Sequence, residues 1–363
     1  MLPYLITFSL SLISYRFATK PLKKGLRILC LVLCILPPAI LAGVRDPSLG
    51  HDWFGYGIDI WNLSIHSHTP GQVLSQYPAI ESGYKLFNYA ISFLSSDYHV
   101  FFFFHQLFLI SIAVLVAYIN RNHKLSEIIL VFYFLYIYNT SMNIIRQSMA
   151  LMLCMLAFTL WEKLWRKRSY ICLGLAGLFH VSAIFAFFLY FLSTFKKFLQ
   201  KHQIIILSIV SVVTYYTIKS YTLILTKLID LKIFSGHYIG YADQIGDVSI
   251  HKTDIVFQLG IIALTFLLPS KSKNKAISSQ IFYLALTAVA LNMFGNLTDI
   301  AFRVAHYFIL PIAILMPRIS FSYKHNLYAC LFFASLLAAR LIYFAISSGA
   351  ENTIPYTSAI LGI

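Results

Sequence analysis

Apolar residues form long uninterrupted runs along this chain, and short polar or basic stretches separate them. The longer runs are 2–15, 27–44, 98–119, 143–161, 203–218, 252–268, 277–294, 300–317 and 326–346, with a shorter one at 126–138. A helix needs about 20 residues to cross the hydrocarbon core of a bilayer. The shorter runs can therefore span it only if flanking residues at the membrane interface extend their helices. The pattern predicts an all-α, polytopic helical membrane protein with about ten full spans.

Composition agrees with a chain whose main solvent is lipid. Of the 363 residues, 59% are hydrophobic and 11% are charged, whereas a soluble domain has about 25% charged residues. The five cysteines all lie inside apolar runs and are interpreted as packing residues. A net charge of +15 would suggest a nucleic-acid partner in a soluble protein. Here the basic residues stand between apolar runs, so they indicate topology and lipid headgroup contacts, and no nucleic-acid partner is expected.

Six basic clusters set the predicted orientation. They fall at 16–27, 121–124, 163–168, 196–201, 271–275 and 318–324, and the positive-inside rule assigns them to the cytoplasm. The loops 45–97 and 219–251 and the tail from residue 347 then face the periplasm or exterior. Basic residues follow the first apolar run instead of preceding it, which favours a retained span over a cleaved signal peptide. We expect a single transmembrane domain over residues 1–363.

The run 170–195 breaks this regular pattern, because it is one long apolar stretch between two clusters that should both be cytoplasmic. Gly174, Gly177 and His180 interrupt it near its centre. A helix that bends and returns to the same side resolves the conflict. Freed backbone groups at such a bend must be buried in protein or line a water-filled cavity. The sequence therefore predicts a bent or re-entrant helical hairpin at 170–195.

Three arginines stand near the predicted outer ends of spans, at Arg45, Arg146 and Arg303. Charges beside spans are costly, so each invites a functional interpretation. Guanidinium groups bind phosphate oxygens bidentately and keep their charge. Convergence of the three on a pyrophosphate is one hypothesis. Snorkelling, or pairing with Asp46 and Asp299, is the structural alternative.

Acidic residues number only 13, and several lie in the loop 45–97. Asp52 and Glu81 are the preferred candidates for a general base acting on a substrate hydroxyl. His180, at the predicted bend beside Ser182, is a third candidate. The sequence has no P-loop, no HExxH, no paired DxD-type acids and no His/Cys set at metal-ligand spacing. We expect neither a metal nor a cofactor, and a substrate that arrives already activated.

Several motifs in this order resemble the EpsG family of Wzy-like polysaccharide polymerases. They are Val44-Arg45, Gly50-His51-Asp52 with Tyr56, Glu81-Ser82-Gly83-Tyr84, Tyr138-Asn139, Arg146-Gln147-Ser148-Met149-Ala150, His180-Val181-Ser182-Ala183 and Arg303-Val304-Ala305-His306-Tyr307-Phe308. Together they cover most of residues 40–310. One departure lies between Arg45 and Asp52, where the chain has Pro47 and no second basic residue.

The resemblance implies a GT-C-like, metal-independent glycosyltransferase in the bacterial inner (cytoplasmic) membrane, with its active site facing the periplasm or exterior. Its substrate would be an oligosaccharide on undecaprenyl pyrophosphate, polymerised into O-antigen (the lipopolysaccharide side chain), capsule or exopolysaccharide. A chain-length regulator and a flippase would be partners. The implied catalytic residues are Asp52, Glu81 and His180. The implied substrate-binding residues are Arg45, Tyr56, Asn139, Arg146, Gln147, Arg303, His306 and Tyr307.

Other activities fit the residues as well. An O-antigen ligase, or another glycosyltransferase of lipid-linked sugars, would use the same basic groups for pyrophosphate. A flippase or exporter of lipid-linked oligosaccharides would typically show matching broken helices in two halves, and only one break is predicted here. A membrane acyltransferase would need a His–acid pair, for which His306 and Asp299 are the candidates.

Overall fold

A computed structural model describes residues 1–123, 125–195, 252–267, 272–293, 299–319 and 323–363, with isolated positions between 198 and 227. All regular elements within these ranges are helical, which confirms the predicted all-α class. The α-helices are α1 (Leu2–Ala18), α2 (Lys24–Gly43), α3 (Ile58–His66), α4 (Pro70–Ser75), α5 (Ser82–Ser92), α6 (Tyr98–Ile119), α7 (Ile128–Phe132), α8 (Ile145–Glu162), α9 (Arg166–Phe179), α10 (Phe187–Thr194), α11 (Lys252–Leu267), α12 (Ser272–Met293), α13 (Asp299–Leu315) and α14 (Tyr323–Asn352).

Four helices in the described ranges are long and apolar enough to cross a membrane. They are Lys24–Gly43, Tyr98–Ile119, Lys275–Met293 and Leu327–Ser347. The predicted spans at 2–15, 126–138, 143–161, 252–268 and 300–317 also form helices, but these are shorter or less apolar. The predicted span 203–218 and loop 219–251 lie outside the described residues, apart from isolated positions. The count of about ten spans and the GT-C-like architecture stay predictions.

The chain divides into two compact units. One comprises Met1–Ile184 and Cys330–Ile363, and the other comprises Phe185–Ala329. In the first unit, α2 packs against α1 and α6, and α8 packs against α6 and α9. In the second, α12 packs against both α11 and α13. The expectation of a single transmembrane domain over the whole chain stays a prediction.

The predicted outer loop 45–97 is mostly helical. A π-helix at Trp53–Gly57 leads into α3, and α4 and α5 follow. The Trp53 ring is buried against α6, edge-on to Phe102 with ring centroids 4.8 Å apart. Lys85 of α5 is also buried, and its ammonium group donates to the backbone carbonyls of Leu74 and Gln76. These contacts hold the loop as a compact layer on the ends of α6 and α8.

The predicted interruption in 170–195 is present. Helix α9 ends at Phe179, His180 is extended, and a 3₁₀ segment covers Val181–Ala186 before α10 begins. Gly83, near the start of α5, lies so close to the last turn of α9 that a Cβ there would be 2.6 Å from Leu178 O. The break is therefore covered by the helical loop layer. The return of the second arm to the cytoplasmic side stays a prediction.

Residues 353–359, which we call the C-terminal segment, pack on the outer end of α2. Tyr356 OH donates to Leu41 O (2.6 Å), and Ser358 Oγ donates to Val44 O. Asp46 N–H donates to Thr357 O (3.1 Å). Hydrogen bonds thus join residues 356–358 to residues 41–46, on both sides of Arg45, which follows the end of α2.

Candidate functional site

The turn after Gly50 fixes Asp52 against the first turn of α8. Asp52 Oδ2 accepts hydrogen bonds from Ile145 N–H (2.9 Å) and from Tyr56 OH (2.5 Å). One residue earlier, His51 N–H donates to Asn143 Oδ1 (2.7 Å). The first N–H groups of a helix lack intrahelical acceptors and carry partial positive charge, so a carboxylate there is stabilising. Asp52 therefore joins the outer loop to α8.

Gly50 makes this turn sterically feasible. Its φ is +96°, a value that side chains with a Cβ rarely adopt, and an added Cβ would lie 2.5 Å from Met142 O. The backbone of the loop thus approaches the segment before α8 more closely than any other residue type would allow. This close approach brings Asp52 within hydrogen-bonding distance of the helix end.

Arg146, in the first turn of α8, lies between an aromatic ring and a carboxylate. Its guanidinium carbon is 4.4 Å from the centroid of the Tyr56 ring. Its Nη1 donates to Glu81 Oε2 in an ion pair, and the side chains of both partners are 16% exposed. Arg146 Nε is buried and has no hydrogen-bond partner within the described part of the chain. Glu81 thus engages Nη1, while part of the Arg146 side chain remains exposed.

Tyr56 connects the two charged groups. Its hydroxyl donates to Asp52 while its ring faces Arg146. Burial raises the pKa of the Tyr56 phenol well above its ordinary value, and the nearby Asp52 carboxylate raises that pKa further. The phenol therefore keeps its proton at any physiological pH and acts as a donor.

Glu81 also reaches the helix break. Its second oxygen, Oε1, accepts from the backbone N–H of Val181 (3.1 Å), the first residue after the break. His180 Nδ1 lies 2.7 Å from Ser182 Oγ and accepts from Ser182 N–H (3.2 Å), so the neutral ring carries its proton on Nε2. Glu81 thus links α8 to the freed backbone beside His180.

Side-chain contacts join four of the predicted site residues, Asp52, Tyr56, Glu81 and Arg146, into one group, to which we add His180, because it directly precedes Val181, whose N–H binds Glu81. We call this group the Arg146 cluster. It combines one guanidinium, two carboxylates, a phenol and an imidazole beside a break in a helix. Such a set provides positive charge for a phosphate and acceptors for a proton.

Arg45 and Asn139 lie in different surroundings. The Arg45 side chain is buried, with its guanidinium carbon 4.2 Å from the centroid of the Phe102 ring. Burial lowers the Arg45 pKa to about 10, and the neighbouring tyrosines Tyr4, Tyr138 and Tyr356 oppose this shift, so the group stays charged at neutral pH. Asn139 Nδ2 donates to Thr353 Oγ1 (2.9 Å). The described contacts of Arg45 do not involve the Arg146 cluster, and its role in binding substrate stays a prediction.

The remaining predicted residues occupy α8 and the second unit. Gln147 is buried in α8, next to Arg146. Arg303 is partly buried in α13, where His306 and Tyr307 are buried, and the His306 ring lies 4.8 Å from that of Phe302. Convergence of Arg303 with Arg146 on one ligand stays a prediction.

Two residues outside the predicted site border the Arg146 cluster: His105, which sequence reasoning did not select, and Tyr84, which it named only within the motif Glu81-Ser82-Gly83-Tyr84. His105 is buried in α6, and its Nε2 lies 3.2 Å from both Ile145 O and Ser148 Oγ at the start of α8. Tyr84 packs edge-on against Tyr56, and its buried hydroxyl has no hydrogen-bond partner among the described residues. A histidine in the middle of a phenylalanine-rich span was a signal that could have identified His105.

No group of three or more His, Cys, Asp or Glu side chains in the described ranges could hold a metal ion. The positive charge in the Arg146 cluster comes from Arg146 itself. Metal independence stays a prediction that a chelator can test.

Comparison with known proteins gives one finding. Neither the curated proteins nor the solved structures include a match to this chain. The sequence profile of the EpsG family matches residues 28–358, which is most of the chain and includes every member of the Arg146 cluster. This match confirms the resemblance that the motifs indicated. The chain belongs to the EpsG family.

Proposed function

We propose that this chain is a polysaccharide polymerase of the bacterial inner membrane. It would transfer a growing glycan from undecaprenyl pyrophosphate to the non-reducing end of the next lipid-linked repeat unit, at the face opposite the cytoplasm. Membership of the EpsG family and the apolar helices support a membrane protein of polysaccharide synthesis. The observation that carries the proposal is Arg146, a 16% exposed side chain held between the Tyr56 ring and the Glu81 carboxylate.

The chemistry of the transfer matches this set of groups. An acceptor hydroxyl loses its proton to a base, and its oxygen attacks the anomeric carbon of the donor sugar. The bond from that carbon to the pyrophosphate oxygen breaks, and its electron pair stays on the pyrophosphate. Arg146 would stabilise the charge that develops there, a contribution worth about 100-fold or more in rate. The carboxylates of Asp52 and Glu81 and the imidazole of His180 are the candidate bases.

Deletion of the gene, followed by electrophoresis of surface polysaccharide, tests the activity. If the chain is a polymerase, its deletion should remove the ladder of bands that long polysaccharide chains give on the gel. A single repeat unit should still be attached to its carrier at the cell surface. Loss of all attached sugar would instead indicate a ligase or a flippase. Complementation with Arg146→Ala should not restore the ladder, whereas Arg16→Ala, which removes an exposed ion pair with Glu127, should restore it. A full ladder from Arg146→Ala at normal protein level would contradict the proposal.

A further inference from the structure

Glu81 differs from the other carboxylate of the Arg146 cluster in how its oxygens are used. Asp52 accepts two hydrogen bonds through Oδ2, from a helix N–H and from the Tyr56 phenol. Glu81 divides its oxygens between a side chain and the backbone: Oε2 binds the Arg146 side chain, and Oε1 binds the Val181 N–H. Glu81 can therefore lose its contact with Arg146 and still be held by Val181.

The ion pair of Glu81 with Arg146 competes with any anionic ligand of that guanidinium. The carboxylate occupies Nη1, and both side chains are accessible enough for a ligand to reach them. A pyrophosphate carries more negative charge than a carboxylate and offers oxygens for bidentate binding. Two anions on one cation repel each other, and Arg146 is the only cationic side chain bound to Glu81 among the described residues. The diphosphate should therefore displace Oε2.

We propose that the donor pyrophosphate and Glu81 exchange on Arg146, and that this exchange converts Glu81 from a counter-ion into the base for the acceptor hydroxyl. This inference rests on the proposed function. Release from Arg146 frees Glu81 Oε2 to accept a hydrogen bond from the acceptor hydroxyl. The hydroxyl proton then moves to Glu81 Oε2, the acceptor oxygen bonds to the anomeric carbon, and the pyrophosphate leaves on Arg146 with the bonding electron pair. The base becomes active only when donor is bound.

A double-mutant cycle on the full chain in lipid nanodiscs tests the exchange, with inorganic pyrophosphate as the probe in calorimetric titrations. Glu81→Gln keeps an acceptor for Val181 N–H but removes the competing charge, so it should tighten pyrophosphate binding about tenfold. In an Arg146→Ala background the same change should have no effect. Glu127→Gln, in the other described ion pair, is the matched control and should bind like the wild type. Equal or weaker binding by Glu81→Gln, or tightening that does not require Arg146, would overturn the exchange.

A second measurement uses the wild-type chain and does not depend on any variant folding. Carbodiimide labelling read by mass spectrometry reports how accessible each carboxylate is. Pyrophosphate should increase labelling of Glu81 and leave Glu127 unchanged. Unchanged or reduced labelling of Glu81 would overturn the exchange.

The base role has its own readout in the polysaccharide ladder. Glu81→Gln should lose the ladder despite its tighter binding of pyrophosphate, whereas Glu81→Asp, which keeps the charge, should restore part of it. A full ladder from Glu81→Gln would remove Glu81 as the base. These outcomes are separate from failure of the proposed function, which would appear as a deletion strain that keeps its ladder.

Discussion

Gly83→Ala should disturb the Arg146 cluster without touching any of its members. Gly83 is the second residue of α5, and a Cβ there would lie 2.6 Å from Leu178 O and 2.9 Å from Leu178 Cβ. The nearest atom is backbone and cannot rotate away, so α5 must move from α9 by about 0.8 Å to restore an ordinary contact, at a cost of about 1–3 kcal/mol. Glu81 lies two residues earlier in the same segment. The shift should weaken its contacts with Arg146 and Val181.

The assay for this prediction combines thermal unfolding in detergent with the ladder gel. Gly83→Ala should lower the melting temperature and shorten the ladder, because displacements of about 1 Å in a catalytic group can cost about 100-fold in rate. Gly71→Ala is the matched control. Gly71 is also the second residue of its helix, but the nearest atom to an added Cβ is Thr69 Oγ1 at 3.9 Å. If Gly83→Ala melts and polymerises like Gly71→Ala, the close approach of α5 to α9 does not position Glu81.

Three further predictions follow from individual contacts. Tyr56→Phe keeps the ring at Arg146 but removes the hydrogen bond to Asp52. It should therefore lower the free energy of unfolding by about 1 kcal/mol and reduce the polysaccharide ladder. A ladder of normal length would show that the hydroxyl is dispensable. Tyr356→Phe leaves the buried carbonyl of Leu41 without its donor and should lower the melting temperature, whereas Tyr343→Phe, at an exposed position of α14, should not. Membranes supplied with lipid-linked repeat units should polymerise them equally well with and without EDTA, because Arg146 supplies the positive charge that stabilises the pyrophosphate. Inhibition by EDTA that added Mg²⁺ reverses would refute this prediction.

Helix positions in the spans could be predicted closely from sequence because the apolar runs end at polar caps. The run 98–119 coincides with α6, where the N–H group of His99 donates to the Asp97 side chain. The break in 170–195 was predicted from Gly174, Gly177 and His180, yet α9 continues through both glycines and ends at Phe179. Neither glycine has a neighbour within 4 Å of an added Cβ. The break occurs instead at His180, where Glu81 accepts a hydrogen bond from Val181 N–H and Ser182 lies within hydrogen-bonding distance of the His180 ring.

The composition of the candidate site was predictable, whereas its pairings were not. Arg146 was identified as a costly charge near a span end, and Asp52 and Glu81 as scarce acids in the loop 45–97. Hydrophobic periodicity gives no information about which carboxylate meets which arginine across 65 positions of sequence. The outer loop 45–97 contains three short α-helices, α3, α4 and α5. Its short helices are stabilised by contacts such as the buried Lys85 with backbone carbonyls, which no local pattern reveals.

The C-terminal segment has a consequence for how this protein is made. Its hydrogen bonds to the end of α2 join residues more than 300 positions apart, such as Tyr356 with Leu41 and Ser358 with Val44. Domains begin to fold while the ribosome is still adding residues. Residues 353–359 can pack against α2 only after α14 has been synthesised. Arg45 therefore gains Tyr356, one of its three neighbouring tyrosines, later than it gains Tyr4 and Tyr138.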